Sequence, residues 1–318
     1  MTDFTVAVIL PVYRPGKAFS ELLRRLSLQT KVPDRVLILN TVEEETDEDA
    51  VLTLMEQYRD SFPVLSALHV DKEEFDHGGT RDLGIRMVGT DLCLLMTQDA
   101  LPRDRKLIEH LSAYFVNPRV SAAYGRQLAS RKQGPLEHFA RSFNYPEKSM
   151  VKSREDMKEL GIKTFFCSDV CAMWRREIYL KLGGFEHPVI FNEDMILAGQ
   201  EILAGYQIAY AADAAVYHGH NYSGRQQLQR NFDLAVSQAD HPEIFDLVSS
   251  QKEGIRFVLE AAKTLVRSGE IRYLPALFLE SACKILGYRL GKRYRLLPSK
   301  WILSLTNNRA YWKKKWGE

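Results

Sequence analysis

The sequence predicts an α/β protein with an open, mostly parallel sheet flanked by helices and a helical extension at its C-terminal end. Three observations carry this. Short apolar, β-branched runs recur through the first hundred residues, each stopped by proline or polar residues, as in strands buried on both faces. Between them lie segments with apolar residues at helical spacing. The length of 318 residues, with 45% apolar and 26% charged residues, suits a globular chain of one large domain or two small ones.

Residues 5–10 (TVAVIL) form the first strand, ended by Pro11 and Pro15. Phe19, Leu22, Leu23 and Leu26 then share one face of a helix over 17–29. A second strand covers 35–40, a helix lies around 49–58, and a third strand spans 64–70. A helix beginning near Gly79 leads to a fourth strand over 91–97. This alternation implies right-handed crossovers and a parallel sheet. Then follow a helix over 104–115, a strand over 120–124, a polar irregular stretch to about Gly161, and strands over 164–173 and 207–211. From about residue 225 only helical periodicity remains, which divides the chain into a catalytic α/β domain, 1–235, and a basic helical extension, 236–318.

No apolar run of about 18 residues is present, so no membrane-spanning helix is expected. The start, Met1-Thr2-Asp3-Phe4, lacks signal-peptide character, and a cytoplasmic location is expected. Cys93, Cys167, Cys171 and Cys283 have no zinc-like spacing and read as buried apolar residues. The net charge of +2 is uneven: residues 284–318 carry +9, which leaves −7 on the rest.

In an open α/β sheet, ligands sit beyond the carboxyl ends of the strands. Pro11 and Tyr13 follow strand 1, where a ring can stack on a nucleobase. Gln98 and Asp99 follow strand 4, where a carboxylate can hold a hard cation bound to a diphosphate. Asp76-His77-Gly78-Gly79-Thr80-Arg81 offers backbone N–H groups and a guanidinium to an anion, although it is not a P-loop. Glu193 and Asp194, after Gly183-Gly184-Phe185, read either as a general-base site or as acidic residues at a helix start. His218 and His220, one residue apart after a strand-like run, can share one divalent ion with Asp99.

Together these segments resemble family 2 glycosyltransferases, and among them the bacterial rhamnosyltransferases, over nearly the whole chain. ILPVYRP resembles the first-strand segment that meets the donor base; FDHGGTRDLG, the rhamnosyltransferase form of the Arg-Asn loop, with Asp82 in place of Asn; MTQDALP, a DxD element reduced to Asp99. GGF with NEDM is similar to the acceptor-side ED segment, which makes Asp194 the base, and QQLQRNFD resembles Q-x-x-R-W with Arg230 kept and Asn231 replacing Trp. Where the family carries an Asp after strand 2 this chain has Asn40, and Glu43 is the nearby carboxylate.

The resemblance implies the GT-A (nucleotide-diphospho-sugar transferase) fold and single-displacement, inverting sugar transfer. It implies Mg2+ or Mn2+ as cofactor, dTDP-β-L-rhamnose as donor, and a glycan or lipid-linked glycan as acceptor. A UDP-hexose donor, a nucleotidyltransferase and a non-catalytic glycan-binding module are the alternatives. The last has no need of adjacent Glu193 and Asp194. The basic tail, with Trp301, Trp312, Trp316, Tyr288, Tyr294 and Tyr311, suggests peripheral contact with the inner face of the cell membrane rather than nucleic acid.

Overall fold

The structure, a computed structural model, describes residues 3–248 and 251–317. Strands β1 (Val6–Tyr13), β2 (Arg35–Val42), β3 (Leu65–Asp71) and β4 (Leu92–Met96) run parallel, in spatial order β3-β2-β1-β4, as expected for buried apolar runs joined by helices. Those helices are α1 (Lys17–Ser27), α2 (Glu45–Gln57) and α3 (His77–Met87). The sheet continues through β5 (Leu101–Pro102), β6 (Val120–Leu128), β7 (Met150–Lys152), β8 (Cys171–Arg175) and β9 (Gln207–Tyr217). Strand β8 runs antiparallel between β4 and β6, whereas β6 and β9 pair in parallel, so the sheet is mixed but mostly parallel.

Side chains alternate across the strands, and β1 shows the result. Val6, Val8, Leu10 and Val12 enter a core with α1, α2 and α4 (Leu107–Ala113). Ala7 and Ile9 enter the opposite core with α3, α6 (Met157–Leu160), α7 (Arg176–Lys181) and α8 (Glu193–Leu203), whereas α5 (Pro135–Asn144) packs through Leu136 and Phe139 against Ala261, Leu265 and Leu277. Two of those, α5 and α6, and strand β7 occupy the stretch that the sequence leaves irregular or poorly defined.

The strand expected over 164–173 is a correction: only Cys171–Arg175 is strand, and Gly161–Thr164 is a 3₁₀ turn. Phe165 and Cys167 are buried in a loop instead of paired in the sheet. The buried Lys152 donates from Nζ to the carbonyls of Lys163 (3.0 Å) and Phe166, satisfying by side chain what a neighbouring strand would otherwise bond.

The helical layer comprises α9 (Gly224–Asp240), α10 (Pro242–Phe245), α11 (Gln251–Arg267), α12 (Leu274–Gly291), α13 (Ser299–Leu305) and α14 (Arg309–Trp316), and residue 235 falls inside α9. Helices α9 and α12 lie side by side and run the same way. A Cβ on Gly287 would stand 2.2 Å from the Leu228 carbonyl oxygen, one on Gly291 2.3 Å from that of Phe232, and one on Gly224 3.2 Å from Cys283 Sγ. The tail folds back onto α9. Tyr294, Tyr311 and Trp312 are buried with Phe232 and Val236, so these rings do not face solvent as an interfacial reading of the sequence would have them. Asp240 explains the docking: it accepts from Tyr294 Oη (2.6 Å) and Arg295 Nη2 (2.8 Å) through one oxygen and from Lys315 Nζ (2.9 Å) through the other. No described helix is long and apolar enough to cross a membrane.

Candidate active site

The ends of β1 and β4 meet through one side chain. Gln98 accepts from the Tyr13 backbone N–H (3.0 Å) and donates to the Tyr13 carbonyl (3.2 Å), so it clamps the β1 exit and does not present its amide to a ligand. The next residue, Arg14, is left-handed at φ 48°. Tyr13 donates its hydroxyl to Glu43, and Lys72 (to Glu43) and Arg14 (3.0 Å from Glu43) close the group, their cations lying 5.1 and 5.2 Å from the Tyr13 ring centre. Hydrogen bonds from Lys72 and Tyr13 hold the Glu43 carboxyl below its ordinary range. Pro11 remains within the strand, paired with Leu39. Asn40 is buried: its Nδ2 meets the Asp47 carbonyl (3.0 Å) and His69 Nδ1 (3.2 Å), while its Oδ1 has no partner.

A second group joins Asp99 to both histidines. His218 Nε2 lies 3.7 Å from one carboxylate oxygen of Asp99 and His220 Nε2 lies 3.8 Å from the other, with all three potential ligand atoms within 4.8 Å of one another. The histidines follow the end of β9 at Tyr217 rather than lying on the strand. Gln127 sets the ring of His218. Its Nε2 donates to Ser168 Oγ (3.0 Å), so its Oε1 faces His218 Nδ1 at 3.0 Å and fixes Nδ1 as the protonated nitrogen. The free Nε2 lone pair then points toward Asp99. Burial lowers the pKa of both histidines and keeps them in the neutral, ligating form. Two imidazole nitrogens and a carboxylate oxygen suit a divalent transition ion such as Mn2+.

The third group surrounds Asp194. Asp76 caps α3, accepting from Gly79 N (2.8 Å), and also accepts from Val189 N (3.2 Å). A Cβ on Gly78 would lie 2.4 Å from the Glu186 carbonyl oxygen, so the glycine pair serves close approach of the 183–192 loop. Gly184, at φ 83°, performs the same service from the other side: a Cβ there would be 2.3 Å from Asp82 Oδ1. His77 is exposed, its ring edge against Phe75.

Arg81 is buried and engaged: it donates from Nη1 to Glu193 Oε1 (2.7 Å) and to the His77 carbonyl (3.0 Å), while its Nε lies 3.9 Å from Asp169 Oδ2. Asp169 escaped the sequence reading. Its only signal is a lone carboxylate between Cys167 and Cys171. Trp174 Nε1 donates to it (2.9 Å), and its own N–H donates to Asp194 Oδ2 (3.1 Å). Asp194 Oδ1 accepts from Met195 N at the start of α8 (2.7 Å), after Asn192 in the left-handed region at φ 67°. Burial first, and the Glu193 carboxylate second, push the Asp194 carboxyl up to about 7, where it can take a proton near neutrality.

Arg230, on α9, stacks on Tyr222 (4.6 Å) and Phe191 (5.2 Å) and has no carboxylate within ion-pair distance among the described residues. Its charge disfavours protonation of His218 and His220, which places it beside the Asp99 group.

The sequence model of Glycosyl transferase family 2 matches residues 7–183, from β1 to the glycine pair. The chain belongs to this family. As a family 2 glycosyltransferase it is 35% identical to the O-antigen chain rhamnosyltransferase RfbN of Salmonella typhimurium, across 96% of each chain. It is equally identical to the rhamnosyltransferase WbaN of Salmonella anatum, across 98% of this chain and 96% of that one. Among solved structures, the mannosyltransferase PcManGT of Pyrobaculum calidifontis, in complex with GDP-Man and Mn2+, is similar with a TM-score of 0.57 at 17% identity, over 99% of this chain and 88% of that one. TarS 1–349 of S. aureus, in complex with UDP-GlcNAc, follows at 0.54 and 16%, over 92% and 91%. At these identities the likeness establishes the fold, the GT-A type.

Proposed function

We propose that this glycosyltransferase transfers L-rhamnose, with inversion, from dTDP-β-L-rhamnose to a hydroxyl of a lipid-linked polysaccharide precursor at the cytoplasmic face of the membrane. The observation that carries the reading is its likeness to two O-antigen chain rhamnosyltransferases along nearly their full length, acceptor half included. In this reading Tyr13 offers its ring to the thymine, and Glu43 offers an acceptor to the base. Arg230, which no carboxylate among the described residues neutralises, faces the diphosphate. Asp194 takes the proton of the acceptor hydroxyl as that oxygen attacks the anomeric carbon from the face opposite the nucleotide. Arg81 acts through Glu193: its hydrogen bond holds that carboxylate beside Asp194, and the Glu193 carboxylate helps raise the Asp194 carboxyl.

Asp99, His218 and His220 would hold Mn2+ or Mg2+, which supplies a Lewis acid for the departing nucleotide diphosphate. Residues 1–235 make up the catalytic part and 236–318 the part that meets the membrane. Nucleotide release with dTDP-rhamnose, UDP-glucose, UDP-galactose and UDP-GlcNAc tests the reading. Turnover with dTDP-rhamnose at least tenfold above the others is expected, and preference for a UDP-hexose refutes the donor assignment.

A further inference from the structure

Large apolar side chains are unevenly exposed on this molecule. Thirteen of them in the described residues are at least half exposed, and eleven of these lie between Leu247 and Trp301. They follow a pattern. On α11, Ile255, Leu259 and Val266 recur at helical spacing on the side opposite the buried Ala261 and Leu265. On α12, Phe278, Leu279, Ile285 and Leu286 lie opposite Leu277, Ser281, Gly287 and Gly291, which pack inward. The two stripes meet: Val266 and Phe278 line one groove, with Lys263 and Arg267 on its rim.

Glu260 is paired with Lys263 (2.8 Å), and the charges left unpaired around this face among the described residues have one sign. Arg267, Arg289, Arg293 and Lys300 are exposed and have no carboxylate within ion-pair distance among the described residues. The acidic residue of α12, Glu280, is half-buried beside Lys284.

We infer that the exposed face of α11 and α12 is a docking surface for an anionic lipid bilayer, with the apolar stripes entering the headgroup boundary and the flanking cations meeting lipid phosphates. The inference deepens the proposed lipid-linked acceptor reading and moves the contact away from Tyr294, Tyr311 and Trp312, which are buried. A second copy of the chain is a poorer occupant, because a self-complementary contact would bring the same unpaired cations against one another. The register of α9 and α12 also favours a surface that carries acceptor. Cys283 is level with Gly224 at the start of α9, so residues 274–282 project past the end of α9 that follows His220 and Ser223. Phe278 and Leu279 therefore lie beyond the end of α9 that Ser223 caps.

The test is co-sedimentation of the full chain with vesicles of phosphatidylcholine alone or with one-third phosphatidylglycerol, beside light scattering of the free protein and transfer to a water-soluble acceptor glycan. The wild type is expected to pellet with the anionic vesicles, less so in high salt. Leu279→Ser with Leu286→Ser, and separately Arg289→Glu with Arg293→Glu, should each reduce the bound fraction about tenfold or more, leaving transfer to the soluble acceptor unchanged. The charge reversal touches no apolar contact, and so decides the matter if the serine variant unfolds. Equal sedimentation of wild type and charge-reversal variant overturns the inference, as does a dimer that the serine substitutions dissociate. Loss of soluble transfer with every donor would instead count against the proposed function.

Discussion

Asp99 and Asp194 are both aspartates of the candidate site, and their surroundings differ in kind. Asp99 is partly exposed and faces two imidazoles that burial keeps neutral, so its negative charge is left for a cation. Asp194 sits among Glu193, Asp169 and apolar walls, and the one guanidinium nearby, Arg81, is bonded to Glu193. There the charged form is penalised and a proton is welcome. The same carboxylate becomes an ion ligand or a base according to which neighbours are neutral and which are already paired.

Removing the base should have the largest effect. Asp194→Asn keeps size and polarity but cannot accept a proton, and kcat should fall by about 10²–10⁴ with donor affinity nearly unchanged, as single-turnover and equilibrium dialysis measurements would show. Asp99→Ala should lose about 10² in kcat/KM and, unlike the first variant, should lose Mn2+-dependent donor binding by calorimetry. Full activity in excess chelator would break the contrast between the two sites. Gln127→Ala frees the His218 ring and should weaken Mn2+ affinity about 10–100-fold, with the Asp194 side untouched.

The smallest effects concern pH. Since Asp194 must be ionised to act, kcat should rise with pH through about 7, and Glu193→Gln should move that limb to lower pH by removing the like charge. The stability sign is opposite. A carboxyl whose folded pKa is raised above its ordinary value of 3.8 favours folding while protonated, and that advantage is lost as pH climbs to about 7. Asp194→Asn should therefore raise Tm by a few degrees at pH 8, at about 2–4 °C per kcal/mol for a chain of this size. The gain should vanish near pH 4.

The parallel half of the fold is legible because β1, β2 and β4 are buried, mostly apolar runs, and a continuous run of that kind has few other homes. The 164–173 segment misleads for the same reason: Phe165 and Cys167 are apolar because they are buried, and a lysine amine, not a strand, satisfies the backbone there. At the site, Asp99 with His218 and His220 can be assembled from strand ends alone. Asp169 and Gln127 cannot, since each works by orienting another side chain and leaves no spacing pattern. Asp76 and Arg81 were readable as ligands of an anion, yet their contacts are a helix cap and a buried ion pair. The tail aromatics look interfacial in sequence until Asp240 is seen to gather their hydroxyl and amine partners.

The glycines between α9 and α12 have a consequence for which acceptors the enzyme can serve. With carbonyl oxygens of α9 where side chains of α12 would have been, neither helix can slide along the other without a collision. Whatever surface α12 rests on is then held at a constant stand-off from His220. A growing chain anchored in that surface would be measured by its reach as well as by its terminal sugar, too short below the crevice and too long beyond it.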